Sequence, residues 1–154
     1  MAGFKGSASY SVDSKGRVAI PAKMRNVMSP DAKGIFTLTR GFEQCIFLYP
    51  LNKWEAIEAE FDKLNKFESE ARHFVRIVLR WAEEVGLDGQ GRIRIPESLM
   101  KYAGITDKAL IIGALDHIEI WNPEMFEAYI NEEEKEYETL AEQVMGGGKD
   151  ARRG

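Results

Sequence analysis

A nine-residue stretch occurs twice in this chain. Asp13-Ser14-Lys15-Gly16-Arg17-Val18-Ala19-Ile20-Pro21 returns 75 positions later as Asp88-Gly89-Gln90-Gly91-Arg92-Ile93-Arg94-Ile95-Pro96, with Asp, Gly, Arg, Ile and Pro in matching places. Internal repetition constrains a fold more than any local pattern does. Two copies are too few for a solenoid, so the repeat implies a duplicated module whose halves pack on each other.

Each copy has a local physical reading. Asp and Gly around a short polar step form a turn: the carboxylate accepts from nearby backbone N–H groups, and Gly supplies a positive φ. Before the first turn, Ala8, Tyr10 and Val12 alternate with Ser7, Ser9 and Ser11; after it come Val18 and Ile20. Alternation on both sides of a turn predicts a β-hairpin. Pro21 then ends the strand and opens a short helix, where its missing N–H costs nothing. Pro96 does the same before a helix through Leu99 and Tyr102. The repeat continues as Ile35–Leu38 against Ala109–Ile112, then Ile46–Tyr49 against Ile118–Trp121, each copy entering a helix after Pro50 or Pro123. Gly41-Phe42-Glu43 predicts the turn between the last two strands of the first copy.

The doubled Asp-x-x-x-Arg pair, the Lys15-Gly16-Arg17 turn with its following Ile20-Pro21, and the Phe4-Lys5-Gly6 start together resemble the MraZ family. Those proteins are bacterial transcriptional regulators built from two AbrB-like (SpoVT-AbrB) modules. The likeness runs from about Phe4 to the C-terminal helix. It implies a cytoplasmic, nucleoid-associated regulator that assembles into rings of many subunits. It also implies double-stranded DNA as partner, in tandem short promoter repeats upstream of a cell-division and cell-wall gene cluster.

The 154 residues suffice for one domain or two small ones. A single cysteine, Cys45, excludes an internal disulfide and sits in an apolar run, as suits a reducing compartment. No signal peptide or membrane span is expected, since no segment approaches the roughly 18 apolar residues a span needs. The net charge of −4 argues against a nucleic-acid binder until its distribution is read. Residues 1–40 carry seven basic side chains against two acidic, and residues 123–154 carry nine acidic against four basic. That asymmetry gives a basic face, a candidate phosphate footprint, and an acidic end.

From Asn52 the pattern turns helical, with Trp54, Ile57, Phe61 and Leu64 on one stripe. After a break at Lys63 to Phe67, a second helix carries Ala71, Phe74, Val75, Val78, Leu79 and Ala82 on one face. The two are read as an antiparallel pair linking the modules. Arg72, Arg76 and Arg80 lie at i, i+4 and i+8. The simplest reading is a solvated face paired with Glu68 and Glu84; a DNA contact and a contact to a neighbouring subunit's acidic helix are the alternatives. A final acidic helix is read from Glu124 to about Val144, ended by Gly146-Gly147-Gly148, with Lys149 to Gly154 as a disordered tail.

Arg17 is the leading site residue. Its planar donor fork can hold a phosphate or the O6/N7 edge of guanine, or it can pair with Asp13 across the turn, and the two roles are compatible. The family resemblance assigns DNA contact to Lys15 and Arg17. Lys23 and Arg25 on the first short helix, and Lys5 on the N-terminal arm, are secondary. In the second copy Gln90 replaces Lys15, so Asp88, Arg92 and Arg94, with Asp13, are read as structural or secondary. No catalytic, metal or cofactor site is expected. His73 and His117 have no ligand spacing, and Gly89-Gln90-Gly91 lacks a dinucleotide fingerprint. The paired glutamates at 132–134 read as a solvated helix face.

The predicted fold is α+β, with two AbrB-like β-hairpin/helix modules interleaved as a pseudo-twofold split β-barrel with peripheral helices. The boundaries are 7–54 for the first module, 55–82 for the linking helices, 83–126 for the second module and 127–154 for the acidic helix and tail. Three other readings stay open: a structural or protein-interaction ring, an antitoxin-like partner-binding protein, and an enzyme should a histidine cluster with acids in a cleft.

Overall fold

The computed structural model describes residues 3–132 and 136–146. The fold is mixed α+β, and its strands pair antiparallel throughout. The first copy supplies β1 (Ser7–Ser11), β2 (Arg17–Ala19), α1 (Ala22–Asn26), β3 (Ile35–Arg40) and β4 (Ile46–Pro50). Helices α2 (Leu51–Asp62) and α3 (Ser69–Trp81) follow. The second copy repeats the series as β5 (Glu83–Gly86), β6 (Arg92–Arg94), α4 (Glu97–Ala103), β7 (Lys108–Gly113) and β8 (Ile118–Trp121).

The turns expected at Asp13 and Asp88 are present, but the hairpins are not. β1 leaves its turn to pair with β7, β5 pairs with β3, and β2 pairs with β6. The turns themselves close, by Asp13 N–H to Arg17 O at 3.0 Å and Gly16 N–H to Asp13 O at 3.0 Å in the first, and by Asp88 N–H to Arg92 O at 2.9 Å and Gly91 N–H to Asp88 O at 3.0 Å in the second. The reason is burial. A hairpin as short as β1–β2 covers little apolar surface alone and is marginal in water. Exchanging partners between copies joins both halves to one core.

The resulting six-stranded sheet is open and ordered β1-β7-β8-β4-β3-β5, beside a separate β2-β6 ribbon. No closed barrel forms among the described residues. Written by repeat copy, the sheet order is the same from either edge. The registers are reciprocal too. Val18 faces its own counterpart Ile93, flanked by Arg17↔Arg94 and Ala19↔Arg92. Phe47 faces its counterpart Glu119, flanked by Ile46↔Ile120 and Leu48↔Ile118.

Period-two alternation sorts the sheet into two faces. Phe36, Leu38, Ile46, Leu48, Ile111, Ile118 and Ile120 join Val18, Ile20, Ile93, Ile95, Met24 and Leu99 in one core, so the ribbon, α1 and α4 cover that face. The opposite face of β3 lies under α2 and α3, where the buried Thr39 hydroxyl donates to Val78 O at 2.8 Å. Cys45 is buried one residue ahead of β4, in the turn closed by Gly41 N–H to Cys45 O. Burial pushes its thiol well above the ordinary range, which makes it a packing group.

α3 departs from expectation. None of its residues is buried, and Phe74 and Leu79 are 42% and 44% exposed. Its arginines do not pair with Glu68 or Glu84 among the described residues. Arg72 instead donates to Lys66 O at 2.9 Å, and Arg80 lies over the Trp81 ring at 5.3 Å.

The second compact unit runs from Glu124. The long acidic helix expected there is not continuous. α5 (Pro123–Glu132) and α6 (Tyr137–Ala141) are separate, because Glu136 takes extended angles, φ −66° and ψ 145°. A π-helical turn follows at Glu142–Gly146. Glu133, Glu134 and the tail from Gly147 lie outside the described residues.

His117 stands on the helix-covered side of the sheet. Its ring packs against Phe47 and Tyr49 with centroids 4.6 and 5.0 Å away. Nδ1 lies 2.8 Å from Asp116 and Nε2 3.2 Å from Glu119. Burial alone would lower its pKa, but the hydrogen bonds to Glu119 and Asp116 outweigh that and hold it above the ordinary value. Glu119, which also accepts from Trp121 Nε1 at 2.9 Å, is held low by His117. Burial raises the Tyr49 hydroxyl to about 12.

Two outcomes follow for stability. Ile93, 1% exposed at the centre of the ribbon, should lose about 2–5 kcal/mol on Ile93→Ala, read from the urea midpoint. The His117 contribution is complete below about pH 6.5, its unfolded value, and is lost as pH rises through the higher folded value. The urea midpoint should therefore fall as pH rises above about 6.5, and His117→Gln should flatten that fall.

Candidate nucleic-acid interface

The two repeated turns are built alike. Asp13 Oδ1 accepts from the backbone N–H of Lys15 and of Arg17, both at 2.9 Å, while Oδ2 accepts from Arg17 Nε at 2.7 Å. Asp88 Oδ1 accepts from the N–H of Gln90 at 2.8 Å and of Arg92 at 2.9 Å, while Oδ2 accepts from Arg92 Nε at 2.9 Å. Gly16 and Gly91 carry the positive φ each turn requires, +80° and +73°. One carboxylate thus shapes the turn and fixes the guanidinium that follows. The Arg17 backbone N–H, then its side chain and the Lys15 N–H, hold the Asp13 carboxyl down at about 2. The Arg92 N–H leads the same lowering at Asp88.

The ribbon then sets the arginines side by side. Cross-strand partners share a face, and alternate residues do too. Arg17, Arg94 and Arg92 therefore project from one face, while Val18 and Ile93 project into the core. Like charges directly opposite are destabilising, and Arg17 stands directly opposite Arg94. The strain is eased on one side: Arg92 Nη1 reaches to within 3.9 Å of Asp13 Oδ2. Among the described residues the exposed Arg94 guanidinium has no hydrogen-bond or ion-pair partner.

Each strand ends on the other copy's turn. Ile20 N–H donates to Gly91 O at 3.0 Å, and Ile95 N–H donates to Gly16 O at 2.8 Å. The turns therefore sit at opposite ends of the ribbon, roughly 13 Å apart at the usual strand rise. Exposed Lys15 marks one tip and exposed Gln90 the other. Arg25, on α1, lies across the second turn. Its Nε donates to Ile20 O at 3.0 Å, and a Cβ at Gly91 would meet its guanidinium carbon at 2.6 Å.

The structure thus brings Arg17, Arg92 and Arg94 together on one ribbon, with Lys15 on the first turn at one end and Arg25 of α1 over the second turn at the other. Lys23 is exposed on α1 at the second-turn end. Lys5 lies elsewhere, separated from the first turn by β1, roughly 17 Å long at the usual rise. Sequence reasoning did not place Arg94 beside Arg17. The available signal was the repeat itself: a strand pairing antiparallel with its own copy about Val18 and Ile93 must put residue 17 opposite residue 94. A recess of about 760 Å³ beside the first turn mixes Lys15 and Arg94 with Glu83 and Glu97, so its charge is mixed, whereas the outer face of the ribbon carries three arginines.

Among the described residues no group of three or more His, Cys, Asp or Glu is arranged to hold a metal ion. His117 does meet two acids, but its ring is enclosed by Phe47 and Tyr49 and lines none of the grooves described. No helix among the described residues is long and apolar enough to cross a membrane.

Comparison with known proteins adds two findings. A family model described as "MraZ protein, putative antitoxin-like" matches residues 4–77 and again residues 78–146. The transcriptional regulator MraZ of Natranaerobius thermophilus is 39% identical over 142 residues, covering 92% of this chain and 96% of that protein.

The Asp13 clamp can be titrated. Its depressed pKa adds stability that is present above about pH 4 and is lost as pH falls toward about 2. Carboxyl-carbon NMR should give an Asp13 midpoint near 2. In Arg17→Ala that midpoint should rise only part of the way to the ordinary value, because the backbone donors stay in place.

Proposed function

The chain belongs to the MraZ family, and on that premise we propose that it is a sequence-specific DNA-binding transcriptional regulator that reads tandem short repeats as a homo-oligomeric ring. The observation that carries the reading is the arginine face. Arg17, Arg92 and Arg94 project from one side of the β2–β6 ribbon, two of them locked by carboxylates, with Lys15 free at one tip. A fixed guanidinium keeps its remaining donors outward at little further entropic cost and suits a phosphate or a guanine edge. Lys15 and Arg17 are the principal contacts in this reading. Lys23 serves the backbone nearby, and Arg25 acts by holding the second turn.

One ribbon offers few phosphate contacts, too few for tight binding at physiological salt. A ring presents many ribbons, and repeated boxes engage several at once, so weak contacts multiply. The reading places the protein in the cytoplasm on the nucleoid, upstream of a cell-division and cell-wall gene cluster. It also takes the copies, 7–54 and 83–126, as AbrB-like modules interleaved about a pseudo-twofold axis in a split-barrel arrangement. The reciprocal registers at Val18/Ile93 and Phe47/Glu119 support that relation.

Anisotropy titrations on the protein's own upstream DNA test this. Multi-box DNA should bind far more tightly than single-box DNA, and equal affinities would remove avidity. Lys15→Ala/Arg17→Ala should weaken binding at least tenfold and reduce the slope of log K against log salt by about 2. If the double variant keeps repeat-DNA binding intact, the arginine face serves another acidic surface, such as a protein partner.

A further inference from the structure

Helices α2 and α3 leave an apolar groove between them. Its floor is Phe61, Leu64, Ala71, Val75 and Leu79, and it encloses about 450 Å³. Phe61 of α2 also meets Phe74 of α3 edge to face at 5.9 Å, which ties the two helices together. Leu79 and Leu64 remain 44% and 39% exposed, and Phe67 at the bend between the helices is 94% exposed. A contiguous apolar surface of this kind on a folded chain marks an interaction site. Its α3 edge is basic, with exposed Arg72 and Arg76 four residues apart on the same side of the helix. Its α2 edge is acidic, with Glu58 and Asp62, and Lys66 within 3.9 Å of Asp62. The occupant such a groove selects is an amphipathic helix whose acids lie along one edge, against α3.

The chain contains a segment of that chemistry. From Tyr137 to Met145, Tyr137, Leu140 and Val144 are exposed apolar residues. Glu138 and Glu142 stand four residues apart, the spacing of Arg72 and Arg76. Helices laid side by side at matching spacing place two charge pairs in register while the apolar residues enter the groove. We infer that the α2–α3 groove receives the acidic Tyr137–Met145 segment of a second copy, so that each copy gives its C-terminal segment to one neighbour and accepts another's. The contact is head-to-tail. Such a contact generates a ring when its rotation closes and a filament when it does not. This inference rests on the oligomeric assembly proposed above and names the surface that makes it.

Charge reversal in the full-length chain tests it. Arg72→Glu/Arg76→Glu sets acid against acid, and Glu138→Arg/Glu142→Arg sets base against base. All four side chains are exposed, so circular dichroism should show both variants folded. By native mass spectrometry and sedimentation, each variant alone should need roughly a hundredfold higher concentration to assemble than the parent chain. Mixing the two should restore assembly in a 1:1 ratio, because each variant's segment then matches the other's groove. Restoration by mixing cannot come from a contact within one chain. A parent chain that assembles while both reversed variants assemble equally well overturns the contact and leaves the ring reading standing. Variants that fall apart and are not rescued by mixing overturn it as well. A parent chain that stays monomeric overturns the assembly itself and this contact with it.

Discussion

The β2–β6 ribbon is the constraint on which the rest depends. Each copy of the repeat is too short to bury its own apolar residues, and each ends its strand on the backbone of the other copy's turn. Ile20 cannot find its hydrogen bond without Gly91, nor Ile95 without Gly16. The exchange fixes the register, and the register fixes the arginines. Val18 and Ile93 point inward at 1% exposure, so period two forces residues 17, 92 and 94 outward. Core packing and the charged face are two sides of the same three-residue pairing.

This coupling gives the doubled aspartate a second purpose. Asp13 and Asp88 each accept three hydrogen bonds inside their own turns. A carboxylate so engaged resists protonation and also stops its arginine from collapsing onto the backbone. The guanidinium is presented before any ligand arrives. Lys15 and Gln90, two residues before each arginine, give only their backbone N–H to the clamp, so their side chains are where the copies could diverge in charge without disturbing the fold.

Much of this was legible in the sequence, for identifiable reasons. The turns, the short helices after Pro21 and Pro96, and the strands at Ile35, Ile46, Ala109 and Ile118 rest on local chemistry, and local chemistry is written residue by residue. Pairing between copies is not. The alternation around Asp13 is the same whether β1 joins β2 or β7, so it read as a hairpin. β3 is buried on both faces from Phe36 to Thr39, which hides which face meets the helices. The exposure of α3 was not legible because an amphipathic stripe puts apolar residues on one face without saying how much of that face its neighbours cover. Within the candidate site the turn that holds Lys15 and Arg17 was legible from one copy alone. The position of Arg94 opposite Arg17 required knowing which strand lay opposite.

Duplication by itself would make the ribbon indifferent to direction, since a half-turn would exchange its ends. Arg25 breaks that equivalence. The position matching it in the second copy is Met100, which has no charge to lay over Gly16. One tip of the ribbon is therefore an open loop bearing an exposed lysine, and the other is a loop covered by a guanidinium. A surface with distinguishable ends has a heading.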